Sequence, residues 1–216
     1  MLSTHEERVR LGEQLGTQPA ANVAYAGYLV QRQEPELALA QIQRLSGSDQ
    51  LRADLAVPLA EALVALDQSD QAKQILEGAF ERSPERLAIV QQWAGILVKE
   101  GKLEAAIAVY RRALQKNPQA WELNLKIGGL ARILGQEDLV LECYRAALAS
   151  PRPTRKQRKA MSIGEAEILA RKGDLRGAIA AYERALEWAP GDANLAGTLQ
   201  KLRAEWESRK ASAGGR

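Results

Sequence analysis

Apolar residues at Leu103, Ala106, Ile107, Tyr110, Ala113 and Leu114 fall three and four apart, the spacing of one helix face. The same rhythm runs from Leu175 through Ala178, Ile179, Tyr182, Ala185 and Leu186. Each segment follows a glycine (Gly101, Gly173) and is closed by a proline four residues on (Pro118, Pro190). A further copy runs from Gly135 to Leu148, with Tyr144 and Ala147 at the matching places. No stretch alternates long enough for a sheet, so the pattern predicts an all-α chain of about twelve helices. A fixed period near 34 residues marks a solenoid, because one helical pair cannot bury its apolar face alone and stacking the pairs makes the core. The predicted units begin at Pro19, Ala53, Leu87, Trp121 and Lys159, the last displaced by four extra residues, and the array covers 19–192.

The places within each unit are specific. The eighth is small every time: Ala26, Ala60, Ala94, Gly128 and Ala166. The twentieth reads Ala38, Ala72, Ala106, Val140 and Ala178, and the twenty-seventh Leu45, Ala79, Ala113, Ala147 and Ala185. The twenty-fourth is large: Ile42, Leu76, Tyr110, Tyr144 and Tyr182. Small residues let two helix backbones approach, and the large neighbour fills the space beside the contact. This register resembles the tetratricopeptide (TPR) repeat. The tryptophan usual near the start of the first helix is absent, since those places hold Asn22, Ala56, Val90, Asn124 and Ser162. Glu165 stands where a buried apolar residue is expected, and Gln33 stands where the turn glycine belongs. Pro58, inside a first helix, is expected to start that helix late or kink it.

The resemblance implies a right-handed superhelix whose first helices line a concave face. Its inward places would be Val23, Gly27 and Val30; Val57, Glu61 and Val64; Gln91, Gly95 and Val98; Leu125, Gly129 and Arg132; and Ile163, Glu167 and Ala170. That row is apolar and small for a surface facing water, as suits a hydrophobic or amphipathic helical segment of a partner protein. The opposing reading is that the row closes on itself or is filled by the N-terminal helix. The carboxylate clamp found in some relatives would need several donors, and only Lys126 is present at those places, so it is rejected.

The ends flank the array. Residues 1–18 hold an extra helix, signalled by capping-box spacing at Ser3 with Glu6 or Thr4 with Glu7. Leu195, Leu199, Leu202 and Trp206 make a stripe within 193–210, read as a capping helix, with docking of a second copy as the alternative. Residues 211–216 are expected as a disordered tail.

Composition adds one local feature. The net charge is +3, from 30 basic and 27 acidic residues. Five of the 30 basic residues, Arg152, Arg155, Lys156, Arg158 and Lys159, sit in one proline-containing stretch, and the remaining 25 are outnumbered by the acids. That stretch is expected as a stiff, exposed loop able to meet nucleic acid, acidic lipid or an acidic protein. No run of eighteen apolar residues and no secretory signal is visible, and the single Cys143 fits a reducing compartment, so the expected location is cytoplasmic.

Chemistry finds little to stand on. The one histidine, His5, and the one cysteine give no triad and no zinc site, and Gly128-Gly129 reads as close packing within a helix rather than a phosphate loop. The expectation is a non-enzymatic scaffold or adaptor with no cofactor and no metal, which binds another protein or peptide segment. The alternatives are a basic-loop binder of nucleic acid or membrane surface, or a self-assembling building block joined through its end helices.

Overall fold

The computed structural model describes residues 4–15, 18–46 and 53–214, with the side chains of 43–46, 53–54 and 213–214 outside that description. The alternative cap at Ser3 and the small-residue place at Leu45 therefore lie outside the described residues. Every regular element among those described is an α-helix: α1 (His5–Gln14), α2 (Pro19–Gln31), α3 (Pro35–Ser46), α4 (Ala53–Ala65), α5 (Ser69–Arg82), α6 (Leu87–Lys99), α7 (Leu103–Lys116), α8 (Glu122–Ile133), α9 (Glu137–Ala149), α10 (Arg155–Arg171), α11 (Leu175–Trp188) and α12 (Ala193–Gly214).

From α2 onward the helices pair as hairpins, α2 with α3, α4 with α5, α6 with α7, α8 with α9 and α10 with α11. The predicted small places are the points of contact: Ala26, Ala60, Ala94 and Ala166 are fully buried, as are Ala38, Ala72, Ala106 and Ala178. Ile42, Leu76, Tyr110 and Tyr182 are buried beside them. The chain packs as two compact units, Met1–Asn117 and Pro118–Arg216. In the first, α4 packs on both α2 and α6, so first helices of successive hairpins lie side by side. In the second, α9 packs on α10, and α11 on α12.

One turn closes the first helix of all five hairpins. The residue after the helix takes a left-handed conformation at Gln33, Asp67, Gly101, Gly135 and Gly173, with φ between 58° and 82°. The next N–H then donates back five residues, as Glu34 to the Leu29 carbonyl and Lys102 to that of Leu97. This is the Schellman arrangement, where glycine avoids the Cβ penalty. Gln33 and Asp67 bear that penalty. Replacing Gln33 with glycine is expected to raise the stability of the first unit by about 0.5–1 kcal/mol in urea denaturation. Asp67→Gly should gain less, since aspartate tolerates this conformation better.

Local departures from the sequence reading have physical causes. α4 starts at Ala53, five residues ahead of Pro58, so the expected late start does not occur. Pro58 itself is exposed, and the helix runs through it. The four extra residues before the last unit become helix rather than loop: α10 has 17 residues against 12 in α8, about one added turn. α12 runs to Gly214, through Ala211 and into the segment expected as a tail, because alanine sustains a helix.

At the start, α1 is held by the Thr4–Glu7 capping box, by Arg8 paired with Glu34 at 2.6 Å, and by the Tyr25 hydroxyl donating to the Arg8 carbonyl at 2.5 Å. Gly12 rests against Gln41 and Tyr25, and a Cβ there would lie 1.8 Å from the Gln41 amide nitrogen. In the second unit Leu195 and Leu199 of α12 are buried in the cluster formed with α10 and α11, as a capping helix requires.

Candidate functional site

The inner row is built by helix arithmetic. Places five, nine and twelve of a first helix fall within about 60° of one another, beside the eighth place that faces the partner helix. In the first unit this row runs over α2, α4 and α6. Val23 is only 4% exposed, Val30, Val57 and Val64 are half-buried, and Glu61, Gln91 and Val98 are exposed. Between α2 and α4 lies an open cleft of about 400 Å³ lined by Ala20, Val23, Ala24, Gly27, Val30, Gln31, Leu55, Pro58, Glu61 and Ala62. Glu61 is the one charged residue of that lining.

The glycines of the row face space. A Cβ built on Gly27, Gly95 or Gly129 would meet nothing within 4 Å. Gly128, one residue away from Gly129, is the opposite: its Cβ would lie 3.3 Å from that of Cys143, so of the two glycines expected to be closely packed only Gly128 serves the α8–α9 contact. The N-terminal helix contacts Tyr25, Glu34 and Gln41, and its Leu11 and Leu15 pack on the cluster of Tyr25, Leu29 and Ala38.

In the second unit the row is mixed. Leu125, Gly129, Ile163 and Ala170 are half-buried, and Arg132 and Glu167 are exposed. A cleft of about 320 Å³ lies among Arg132, Val140, Tyr144, Gly164, Glu167 and Arg171. Gly164 makes room for the Tyr144 ring, whose nearest carbon would lie 2.7 Å from a Cβ at 164. Arg171 is held by Glu137, donating from Nε at 2.9 Å. The Tyr144–Gly164 contact was not singled out from the sequence, although the unit pattern places a glycine before Glu165 where other units hold larger residues.

The basic stretch is not the loop expected. Thr154 and Gln157 form a capping box that starts α10, so Arg155, Lys156, Arg158 and Lys159 are helical. Arg158 turns inward: its guanidinium donates to the carbonyls of Leu148 (3.0 Å), Pro153 (3.1 Å) and Ser150, and it stacks 5.1 Å from the Trp188 ring centre. Lys159 pairs with Asp192 at 2.6 Å and holds that carboxyl below its usual range. Two of the five cations thus brace the connection, and Arg152, Arg155 and Lys156 remain exposed. A sequence shows only that charges cluster; which of them find carbonyls depends on where the helix begins.

Glu165 is buried at 3% exposure, a carboxylate at a place where an apolar residue is expected. It accepts from Arg145 Nε at 2.8 Å and from Arg184. His5 lies 3.9 Å from Glu34 and is largely exposed. Among the described residues no group of three or more potential metal ligands comes together, and no helix is long and apolar enough to cross a membrane.

Residues 92–139 and 140–193 match the family model for the tetratricopeptide repeat. Residues 92–193 carry tetratricopeptide repeats. The same turn and packing register recur in the described parts of α2 to α5, outside the matched blocks. Repeats of this family generally serve as non-catalytic scaffolds. A curated relative, the uncharacterized protein y4yS of Sinorhizobium fredii, is 38% identical over 66 residues, covering 31% of this chain and 36% of the relative. The matched stretch thus spans about a third of that relative's length. Among solved structures, a MamA protein superposes with TM-score 0.55 at 14% identity, covering 83% of this chain and 96% of its own. YrrB, a TPR protein with an unusual peptide-binding site, gives 0.52 at 20% identity over 90% and 97%. These likenesses concern the fold.

Proposed function

We propose that this TPR chain is a non-catalytic scaffold whose inner row, on α2, α4 and α6, holds an apolar or amphipathic helical segment of a partner protein in the cytoplasm. The observation that carries the reading is open space over an apolar row. Gly27 and Gly95 have nothing above them, Val98 is 37% exposed, and the adjoining cleft carries one charge. Apolar surface left facing water at a concave site is the usual mark of a docking groove. Amphipathic helices dock by anchors at i, i+3, i+4 and i+7, and the seven-residue step of about 10 Å matches the spacing of packed helices, about 8–10 Å. Glu61 would favour a basic residue on the guest. The peptide-binding site of YrrB is consistent with the reading. Affinity is expected to be micromolar, about −8 kcal/mol.

The test uses a photocrosslinking residue at Val98 in cells, with Gly27→Arg and Gly95→Arg as blocking variants. Because both glycines face open space, the variants should keep full helicity. Each should lower the yield of the crosslinked protein at least tenfold. Undiminished crosslinking in both variants would show that the row is not the site.

A further inference from the structure

The α11–α12 hairpin carries a second surface, made of other residues. Leu195 and Leu199 of α12 are buried and Leu202 packs on the same cluster, but Trp206, one turn further, stays half-exposed. Across from it on α11 stands Ile179, also half-buried, and an open cleft of about 420 Å³ lies between them. The rim is charged. Arg203 of α12 donates to Glu183 of α11 at 2.6 Å, which fixes these two as facing residues. The helices run antiparallel, so moving from Glu183 back to Arg176 and from Arg203 on to Glu207 proceeds in the same direction, about 10 Å and 6 Å. Arg176 and Glu207 line the same cleft and are exposed. Charge therefore alternates around the apolar centre: positive then negative along α11, negative then positive along α12.

We infer that this face pairs with the same face of a second copy of the chain. An isologous contact has its two-fold axis lying in the interface. Rotation about such an axis, along the hairpin or across it, brings each arginine corner onto a glutamate corner of the other copy. The pattern is thus complementary to itself. A partner of uniform charge would be repelled at half of the corners. Trp206 supplies the buried aromatic anchor that interfaces favour. The face is small: α11 spans about 20 Å, which places the contact below the standard of about 800 Å² per partner. The dimer is therefore weak and concentration-dependent, with Kd on the order of 10–100 µM.

Sedimentation equilibrium of the full chain from about 1 to 500 µM, bracketing that Kd, tests this. The mass is expected to rise from the 23.6 kDa monomer toward twice that value. Two substitutions should hold it at the monomer throughout: Trp206→Glu, and Ala180→Arg at an exposed residue in the middle of the α11 wall. Arg176→Glu should weaken association at least tenfold. Circular dichroism on each variant shows that the fold is kept, and Ala180→Arg covers the case in which Trp206→Glu disturbs α12. A wild-type chain that stays monomeric at every concentration would overturn the inference and leave the face to a different protein. Association by the variants equal to that of the wild type would overturn it as well.

Discussion

Glu165→Ala is expected to cost the second unit about 2–3 kcal/mol, while Glu165→Leu costs less than about 1 kcal/mol. The reason lies in a comparison inside the chain. Arg112 and Arg184 occupy the same place of their repeats, as do Trp93 and Glu165. In the earlier repeat Arg112 stacks 5.6 Å from the Trp93 ring and 5.3 Å from that of Phe80, and pairs with Glu77 at 2.8 Å. In the later one, Arg145 stands at the place of Glu77. Two arginines would then face each other with no anion, and Glu165 supplies it from the buried side. Removing that carboxylate leaves a void and two cations. Each arginine is more than 40% exposed and can turn to water, which trims the cost below the about 3–5 kcal/mol of a fully buried break. Leucine refills the void. The double variant Glu165→Leu with Arg145→Glu rebuilds the arrangement of the earlier repeat, because the new glutamate can pair with Arg184. It should match or exceed wild-type stability, a coupling of at least about 1 kcal/mol in a double-mutant cycle. Additive single effects in urea titrations would show that the three groups do not act together.

The residues that made the fold legible are those where chemistry repeats. Alanine at fixed places and a large residue four positions later can be read without coordinates, because close approach of two helices admits little else. The turn was legible at Gly101, Gly135 and Gly173 but hidden at Gln33 and Asp67, where tertiary packing imposes the left-handed conformation on residues that do not advertise it. The inner row followed from helix arithmetic. Its openness did not, because the register puts Gly128 at the helix contact and Gly129 on the inward row without saying whether anything covers that row. The basic segment misled for a related reason. Its prolines suggested a loop, yet only Arg152 precedes the cap at Thr154, and the rest belong to the added turn of α10. Glu165 was recognised as an exception, but its partners come from α9 and α11, and such pairings between helices leave no local trace.

Adjacent glycines on α8 should respond to alanine with different signs. Glycine inside a helix is about 1 kcal/mol worse than alanine. At Gly129 the new methyl enters empty space, so Gly129→Ala is expected to stabilise by about 0.5–1 kcal/mol. At Gly128 it meets the Cβ of Cys143 at 3.3 Å, an atom anchored to α9 that can move only with its helix, so the gain in propensity is cancelled or reversed. Gly164→Ala, against the Tyr144 ring, should lose about 1–3 kcal/mol. Gly27 and Gly95, on the proposed seat, also face open space, and the variant carrying alanine at both should gain about 1–2 kcal/mol. If the row of α2, α4 and α6 is a seat for a helix, each methyl raises its floor, and the stabilised variant should bind its partner more weakly than the wild type. Thermal unfolding gives the first quantity and crosslinking from Val98 the second. A double variant that is both more stable and fully competent for capture would separate the glycines from function.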